Sequence, residues 1–372
     1  MFKHPLIALC GLMLLGTGTV CASQSTETLR AATMDFVGSL TADQQKTAIF
    51  ALKDDVRATW SNLPTLMAPP AGLLLKNLNE TQRTGVHRML RASLSSQGYT
   101  KTSAIMWLDD VLREEAAARM AEDAEARANP FAVAMADNRD SGNYAVALFG
   151  DPSDDNWGWK ITGHHLAVNI TVAGDRVGFM PVFLGSNPMV VRNGPYAGWM
   201  ALPREGSIGI EMMQSLTTAQ QSTARIGDVV PGDVFEGPGR RASLGKFEGL
   251  STRSFSADQL GRLQRLVGEY VGNANSVSAG AQLDAIGKSG WNNLWFSWRG
   301  PIDIDGKFYY RVHGPRILIE YNRQNENHDH AVVRDPTNDY GEDWLGHHYR
   351  EFHPEMDQVM GDVRKRLGIG QE

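Results

Sequence analysis

The chain has 372 residues, with 36 basic and 42 acidic side chains and a formal net charge of −6 at pH 7. It contains no basic run interleaved with aromatic residues, which argues against nucleic-acid binding. Beyond the first 23 residues no stretch is apolar enough to cross a bilayer, so we expect no membrane span in the mature chain.

Residues 1–23 have the pattern of a secretory signal. Lys3 gives a positive start, the run from Leu6 to Val20 is nearly all apolar or small, and small residues follow for cleavage. We therefore expect export to the periplasm or the extracellular space. Two alternatives stay open: a retained N-terminal anchor, and a lipid anchor at Cys21, although the preceding Gly-Thr-Val lacks the usual leucine.

Cleavage of such a signal removes both cysteines, Cys10 and Cys21, and one lysine, leaving 35 basic and 42 acidic residues and a net charge of −7. A mature chain without cysteine has no disulfide, thiolate metal site or catalytic thiol. Any bound metal must then be held by His, Asp, Glu, Met or backbone oxygens.

The part from 24 to 128 is predicted to be mainly helical. Two capping boxes, at 41–44 and 79–82, mark helix starts. The helix behind the second box is expected to end near Gly98, because glycine favours helix C-termini. A third helix is expected from Thr102.

Residues 129–372 are predicted to be β-rich. The expected strands span 144–149, 157–162, 166–172, 177–184, 307–313 and 316–322. Helices are expected at 204–216 and 256–271. The sequence thus predicts an α+β fold, in which a helical N-terminal part packs on a larger, mostly antiparallel β-rich part, as a single module from 24 to 372.

Several common catalytic motifs are missing or weak. The glycine-rich piece 237–245 could cradle an anion, but such loops are frequent in plain turns. Gly287-Lys-Ser289 imitates the end of a phosphate loop, yet Gln282 stands where that loop requires glycine. His-Glu-x-x-His and Gly-x-Ser-x-Gly are both absent.

Histidines concentrate near the C-terminus, among acidic residues. Half of the ten lie between Asn327 and Pro354. These five are His328, His330, His347, His348 and His353. Imidazoles gathered with carboxylates are what a transition-metal site needs, so a metal site is the leading hypothesis. The alternative is a hydrogen-bonded histidine network without metal.

The spacing of the histidines suggests which could share an ion. His328 and His330 face the same way on an extended segment. A further ligand could come from His164 or His165, which point to opposite faces if their strand is regular, so that only one would enter the site. His347 lies on a predicted helix over 341–352.

On that helix His348 could pack inward, whereas His347 or His353 would face outward. His347 or His348 is the expected further ligand or acid–base group. Asp335 or Asp339 could orient a ligand imidazole. Arg311 or Arg334 could hold an anionic substrate.

Ligation by imidazole without cysteine suits copper or zinc and, with carboxylate help, iron. The first functional hypothesis is accordingly a metalloenzyme acting on a small molecule, although the sequence indicates no reaction. The second is a non-catalytic binding protein for metal or for a small polar ligand such as a sugar, in a cleft lined by Trp295 and Trp298. Core packing is the competing interpretation of these tryptophans. A structural envelope protein whose histidines only form hydrogen bonds is the third hypothesis.

Several longer segments resemble one bacterial family. They are Lys101–Arg113, Trp157-Gly-Trp159, Gly163-His-His-Leu166 with Asn169, Gly185-Ser-Asn-Pro188, and His330 with Arg334–Gly341. Together they are similar to the domain-of-unknown-function family numbered 3500, over nearly all of the mature chain. The resemblance implies one continuous exported unit and no established reaction, cofactor or site.

Overall fold

The computed structural model describes residues 16–346, with side chains from residue 24 onward. The helices are α1 (Gly16–Ser39), α2 (Ala42–Ala48), α3 (Glu80–Ser93), α4 (Ser96–Glu122), α5 (Ala124–Ala128), α6 (Pro130–Asp137), α7 (Glu205–Gln214), α8 (Thr218–Ala224), α9 (Ala257–Val271) and α10 (Ser276–Ser289). The strands are β1 (Ile49–Phe50), β2 (Leu73–Leu74), β3 (Ala145–Phe149), β4 (Asn156–Gly163), β5 (Leu166–Ala173), β6 (Arg176–Gly178), β7 (Val182–Ser186), β8 (Arg225–Gly227), β9 (Leu250–Ser251), β10 (Trp295–Arg299), β11 (Tyr309–Gly314), β12 (Ile317–Asn325) and β13 (His328–Arg334).

All thirteen of these strands belong to one sheet, whose main path runs β1-β3-β4-β5-β7-β13-β12-β11-β10-β8. The pairs β1–β3 and β8–β10 are parallel, and the other pairs are antiparallel. This sheet and the helical N-terminal region confirm the predicted α+β class.

The strand order shows that the chain is internally duplicated. The order from β1 to β7 is repeated from β8 to β13 in the reverse direction across the sheet, with β2 on β3 in one half and β9 on β10 in the other. Val182 pairs with Val333 at the centre of the sheet. These two residues are as far apart in the sequence as Gly163 and Gly314, which end the equivalent strands β4 and β11. A pseudo-twofold axis therefore passes through the sheet between β7 and β13.

The same duplication is visible in the helix starts. Ser39-Leu-Thr-Ala-Asp-Gln-Gln before and in α2 corresponds to Ser215-Leu-Thr-Thr-Ala-Gln-Gln before and in α8. Both helices begin with a capping box, as do α3 and α9. The amide of Gln44 bonds Gln82 at 3.2 Å, and the amide of Gln220 bonds Gln259 at the same distance. Equivalent side chains thus tie equivalent helices together.

The two faces of the sheet are covered differently. Ala331 and Val333 of β13 belong to the large core between sheet and helices. The opposite face, which carries His330 and Val332, is covered by loops. Trp60 and Val234 of these loops pack against Val332 and Phe183 of the sheet. Polar anchors hold these loops: Lys160 donates to the Thr59 carbonyl at 2.6 Å, and Glu320 accepts the Phe235 and Glu236 backbone N–H groups at 2.9 and 2.7 Å.

The predicted helix end at Gly98 is wrong. The helix α3 ends at Ser93, and α4 begins at Ser96 with Ser95 as its N-cap, so Gly98 lies in the first turn of α4. A Cβ at Gly98 would come 2.0 Å from the Asn273 carbonyl oxygen. Glycine is required here because two chain segments approach closely, and the sequence alone does not distinguish this from a helix cap.

Other differences from the sequence predictions are smaller. The predicted strand 177–184 is divided into β6 and β7. The predicted β-rich part also contains α6, α8 and α10, which the sequence analysis did not identify. The piece Gly287–Ser289 ends α10, so it does not form a phosphate loop.

The tryptophans of β10 do not line a common cleft. Trp298 is fully buried in the large core. Trp295, three residues earlier on the strand, points to the other face and stacks on Phe247 with ring centroids 4.5 Å apart. The core-packing interpretation therefore holds for Trp298.

Candidate metal centre

Three imidazoles converge at one edge of the loop-covered face. The Nε2 atom of His328 lies 3.0 Å from Nε2 of His165 and 2.9 Å from Nε2 of His330. Each histidine offers one nitrogen such that all three lie within 4.8 Å of one another. We call these three residues the histidine triad.

A two-residue turn delivers His165 to the triad. His164 and His165 join β4 to β5, between the paired residues Gly163 and Leu166. His165 has a left-handed φ of 62°, and its carbonyl accepts a hydrogen bond from the Gly185 N–H at 2.8 Å. This unusual backbone conformation is fixed by the neighbouring strand β7, which aims the imidazole at β13.

Strand β13 supplies the other two imidazoles. His328 and His330 are two residues apart on an extended segment, so they share a face, as the sequence predicted. His330 pairs with Gly185 of β7, where a Cβ would lie 2.9 Å from the His330 ring and 3.0 Å from the His165 ring. The missing side chain of Gly185 therefore leaves the space that the two rings occupy.

A carboxylate outside the triad sets the protonation of His330. The Oδ1 atom of Asp233 lies 2.8 Å from Nδ1 of His330, and the other carboxylate oxygen accepts from Asn62 at 3.0 Å. Because a carboxylate accepts, Nδ1 carries the proton and Nε2 presents its lone pair to the triad. A histidine held by a carboxylate in this way is common behind metal ions.

The surroundings favour the neutral form of two triad members, His328 and His165. Burial, together with the nearby His330, lowers the pKa of His328 to about 3. Burial and the adjacent His164 hold the pKa of His165 well below its usual range. Burial would raise the pKa of Asp233, but the hydrogen bond and charge of His330, together with the hydrogen bonds from Val234 and Asn62, outweigh burial and lower this pKa. Neutral His328 and His165 have free lone pairs for a cation.

His164 is placed outside the triad. Its Nδ1 lies 2.8 Å from Oδ1 of Asp109 and 2.6 Å from the Arg139 guanidinium. Its ring stacks on that of His165 with centroids 3.7 Å apart. Of the two adjacent histidines only His165 points at His328 and His330, and His164 supports it from behind.

The other predicted site residues have partners of their own. Arg311 binds Glu248 at 3.1 Å, and Arg334 binds Asp339 at 2.6 Å and the Glu236 carbonyl at 2.9 Å. These arginines are buried in internal contacts and do not face the triad with a free guanidinium.

Asp335 accepts from the Arg316 guanidinium at 2.8 Å. Neither Asp335 nor Asp339 therefore orients a triad imidazole, a role that falls to Asp233. His347, His348 and His353, with most of the helix predicted over 341–352, lie outside the described residues.

The glycine-rich piece 237–245 does not present a free anion cradle. The N–H groups of Ala242 and Leu244 donate to the Glu236 carboxylate at 2.6 and 2.9 Å. The loop thus binds its own carboxylate.

Sequence reasoning missed the residues around the triad, namely Asp233, Asn62, Asp109 and Arg139. Asn62, Arg139 and Asp233 lie in connecting segments outside any motif, and Asp109 lies in the segment Lys101–Arg113, whose residues indicate no chemistry by themselves. Only the internal repeat, which locates equivalent loops in the two halves, carries a signal for their positions.

Comparison with known proteins identifies one match. The family model described as "Protein of unknown function (DUF3500)" matches residues 22–342. No curated protein and no solved structure matches the chain. Among the described residues, no helix is both long and apolar enough to span a membrane.

Proposed function

Because the chain belongs to the DUF3500 family of proteins of unknown function, its own geometry must suggest a role, and we propose that it is a metalloenzyme whose histidine triad binds copper or zinc. One observation carries the proposal: three imidazoles bring their Nε2 atoms together at one place.

The hydrogen bonds that the three imidazoles can form with one another favour a cation at that point. In the tautomer that donates Nδ1–H to Asp233, Nε2 of His330 is free to accept. A single proton on Nε2 of His328 could serve only one of its two neighbours well, yet both lie within 3.0 Å. A metal ion satisfies all three lone pairs at once.

The distances also fit coordination. Two nitrogens that are each about 2.1 Å from one ion and about 3.0 Å apart subtend an angle of about 90° at the ion. Both measured Nε2 separations, 3.0 and 2.9 Å, match this value. The triad nitrogens spread over up to 4.8 Å, whereas two nitrogens about 2.1 Å from one ion are at most about 4.2 Å apart, so the His165 and His330 rings would move closer together by roughly half an ångström on binding.

The ligand set restricts the metal. Three imidazoles without thiolate suit copper and zinc better than calcium or magnesium, which prefer oxygen. Three protein ligands also leave a position for water or substrate, as catalytic rather than structural sites do. His328 is only partly buried whereas His165 and His330 are buried, so the site is approached from the His328 side.

Each metal would supply a different chemistry. Zinc would activate a bound water for hydrolysis, and copper would exchange electrons with a bound substrate. The chain's residues would hold the ion, fix the imidazole orientations through Asp233 and Asp109, and exclude water with the loops around Trp60.

Metal analysis of untagged protein tests the proposal. We expect near-stoichiometric copper or zinc in the wild type and its loss in the variant H328A/H330A. His87→Ala is the matched control, because His87 lies on α3 and contacts Tyr99, at 3.0 Å. A folded wild type that neither contains nor takes up either metal would overturn the proposal.

A non-catalytic metal-binding protein is the main rival. The two roles differ in whether an exogenous ligand reaches the ion. We expect azide to shift the visible spectrum of the copper- or cobalt-loaded protein. A spectrum that azide leaves unchanged would favour a closed binding site over an enzyme.

The proposal also includes export, supported by the signal pattern of residues 1–23. We expect the N-terminus of the protein isolated from its host to lie near residue 23. A chain that still begins at Met1 would contradict cleavage.

A further inference from the structure

The pseudo-twofold axis relates the histidine triad to a second location in the molecule. The turn β4–β5, which carries His165, corresponds to the turn β11–β12, where Arg316 takes the equivalent position. The turn β12–β13 before His328 corresponds to the turn β5–β6, which carries Arg176. Helix α4 corresponds to α10. The second location thus has Arg316 at the position of His165, whereas Val177 and Phe179 take the positions of His328 and His330.

A cleft opens at this second location. It has a volume of about 640 Å³ and is lined by α10 and by both equivalent turns, with Trp344 on one side. Clefts of roughly 300–1,000 Å³ commonly bind small molecules. Its size therefore suits a ligand of one or two rings.

Cations predominate around the cleft. Arg176 and Lys288 are exposed, and Arg316 forms part of the wall. Arg316 binds Asp335 at 2.8 Å, and the remaining acid of the lining is the exposed Asp175. With Arg316 paired to Asp335, Arg176 and Lys288 face the single acid Asp175, and this positive excess favours an anionic group in the ligand.

The inner end of the cleft offers hydrogen bonds. Ser278 and Asn338 line its narrow extension together with Trp344, and both are buried, with 4% and 5% exposure. Among the described residues, neither Oγ of Ser278 nor Oδ1 of Asn338 has a hydrogen-bond partner. The extension has a volume of about 20 Å³, room for one hydroxyl-sized group. Buried polar atoms are almost always paired, so these two atoms indicate a single polar group of the ligand at the inner end.

From these observations we propose that the cleft binds a small hydroxylated carboxylate such as a sugar acid. The carboxylate would lie at the mouth between Arg176 and Lys288. One hydroxyl group would enter the extension beside Ser278 and Asn338, and the ring would pack against Trp344, since aromatic faces suit the apolar faces of sugar rings. This site is separate from the histidine triad.

Calorimetric titration with three probes tests the proposal. Galacturonate has the carboxylate, the hydroxyl groups and the ring; galactose lacks the carboxylate; acetate lacks the hydroxyl groups and the ring. We expect saturable binding of galacturonate and at least tenfold weaker binding of the other two, because one charge-assisted or two neutral hydrogen bonds are worth about 1.5–3 kcal/mol.

Surface variants locate the binding. We expect Arg176→Gln combined with Lys288→Gln to weaken galacturonate binding roughly tenfold. Lys307→Gln, which removes an exposed cation elsewhere, should leave it unchanged. His328→Ala should also leave it unchanged, which separates this site from the metal centre.

Three results would overturn the proposal. One is the absence of saturable galacturonate binding to the wild type. Another is equal affinity for galactose and galacturonate. The third is unchanged affinity in the folded Arg176/Lys288 variant.

Discussion

At the scale of single residues, the orientation of His330 depends on Asp233. The contact of 2.8 Å fixes which nitrogen carries the proton, and Asn62 holds the carboxylate in place. An acid of this kind raises the basicity of its histidine and restricts the ring. Asp233 is thus the residue through which metal affinity can be changed without altering a ligand.

We predict that Asp233→Ala lowers metal affinity by roughly 10- to 100-fold, the usual effect of removing such a partner. Competition with a chelator of known affinity measures the change. Asp228→Ala, five residues earlier and with a side chain 90% exposed, is the control and should have no effect. Equal affinities of the wild type and the Asp233 variant would show that the carboxylate does not support the site.

A second residue-scale prediction concerns His313 on β11. Burial, aided by Arg311, lowers the pKa of His313 to about 4 from an ordinary value of 6.5, and its Nδ1 has no partner among the described residues. Between these two pH values the unfolded chain binds more protons than the folded one. The contribution of neutral His313 to stability is thus complete above pH 6.5 and is lost as the pH falls toward 4.

We therefore expect His313→Asn to make stability less sensitive to acid. Its free energy of unfolding should fall more slowly than that of the wild type between pH 6.5 and 4, by at most about 1.4 kcal/mol per pH unit. Urea titrations at several pH values measure this difference. Parallel curves for the two proteins would show that His313 titrates normally in the folded state.

Residue by residue, the sequence predicted part of the candidate site. His328 and His330 could be identified because alternate residues of a strand share a face. His165 could not be separated from His164, since the two-residue turn and its left-handed backbone depend on the pairing with β7. Asp233 could not be found because a loop acid has no periodicity.

At the scale of elements, the junction between α3 and α4 is the most tightly constrained. The linker before α4 pairs with the linker before α10: the Ser95 N–H donates to the Asn273 carbonyl, and the Asn275 N–H donates to the Ser93 carbonyl, both at 3.0 Å. Gly98 lies against the same Asn273 carbonyl. This contact joins the helices of the two halves.

We predict that Gly98→Ala destabilises the protein by about 1–3 kcal/mol or more, because the backbone contact must open to admit a Cβ. Gly280→Ala on α10 is the matched control. No atom lies within 4 Å of a Cβ at Gly280, so alanine should stabilise that helix by roughly 0.5–1 kcal/mol. Denaturant unfolding compares the two variants, and a neutral Gly98 variant would contradict the close approach.

The elements most accurately predicted were those whose signal is local. The capping boxes at Thr41 and Asn79 need only four residues, and both are present. The role of Gly98 was predicted wrongly because the contact that requires glycine is with Asn273, more than 170 residues away in the sequence. In the sequence, a glycine that ends a helix cannot be told from a glycine that lets another chain segment approach the helix. The structure separates them because it shows the segment in contact.

At the scale of the whole molecule, the duplication joins the halves into one structure. Strands β7 and β13 pair at the centre of a continuous sheet. Lys101 of α4 binds Glu205 of α7 at 2.6 Å and Glu269 of α9 at 2.7 Å, so a buried ionic cluster also bridges the halves. Separating the halves would break the sheet and leave these charges unpaired.

We therefore expect one cooperative unfolding transition. Thermal unfolding followed by far-ultraviolet circular dichroism and by tryptophan fluorescence should give coincident curves. Two resolved transitions would show that the halves unfold independently despite the shared sheet.

One segment of the internal repeat is recognisable in the sequence. Ser39–Ala48 and Ser215–Ala224 share most of their residues, which is the internal similarity that a duplicated fold produces. The rest of the repeat has diverged in sequence. Arg316, for example, occupies the position that is equivalent to His165. Only the strand order makes the full correspondence visible.

X-ray absorption spectroscopy of the metal-loaded protein tests the central claim most directly. The histidine triad predicts three imidazole nitrogens at about 2.0–2.1 Å from copper or zinc, with the multiple scattering that imidazole rings produce, and no sulfur. The same spectrum of the H328A/H330A protein should lose this pattern. A first shell of oxygens without imidazole scattering in the wild type would show that any bound metal lies elsewhere and would contradict the account.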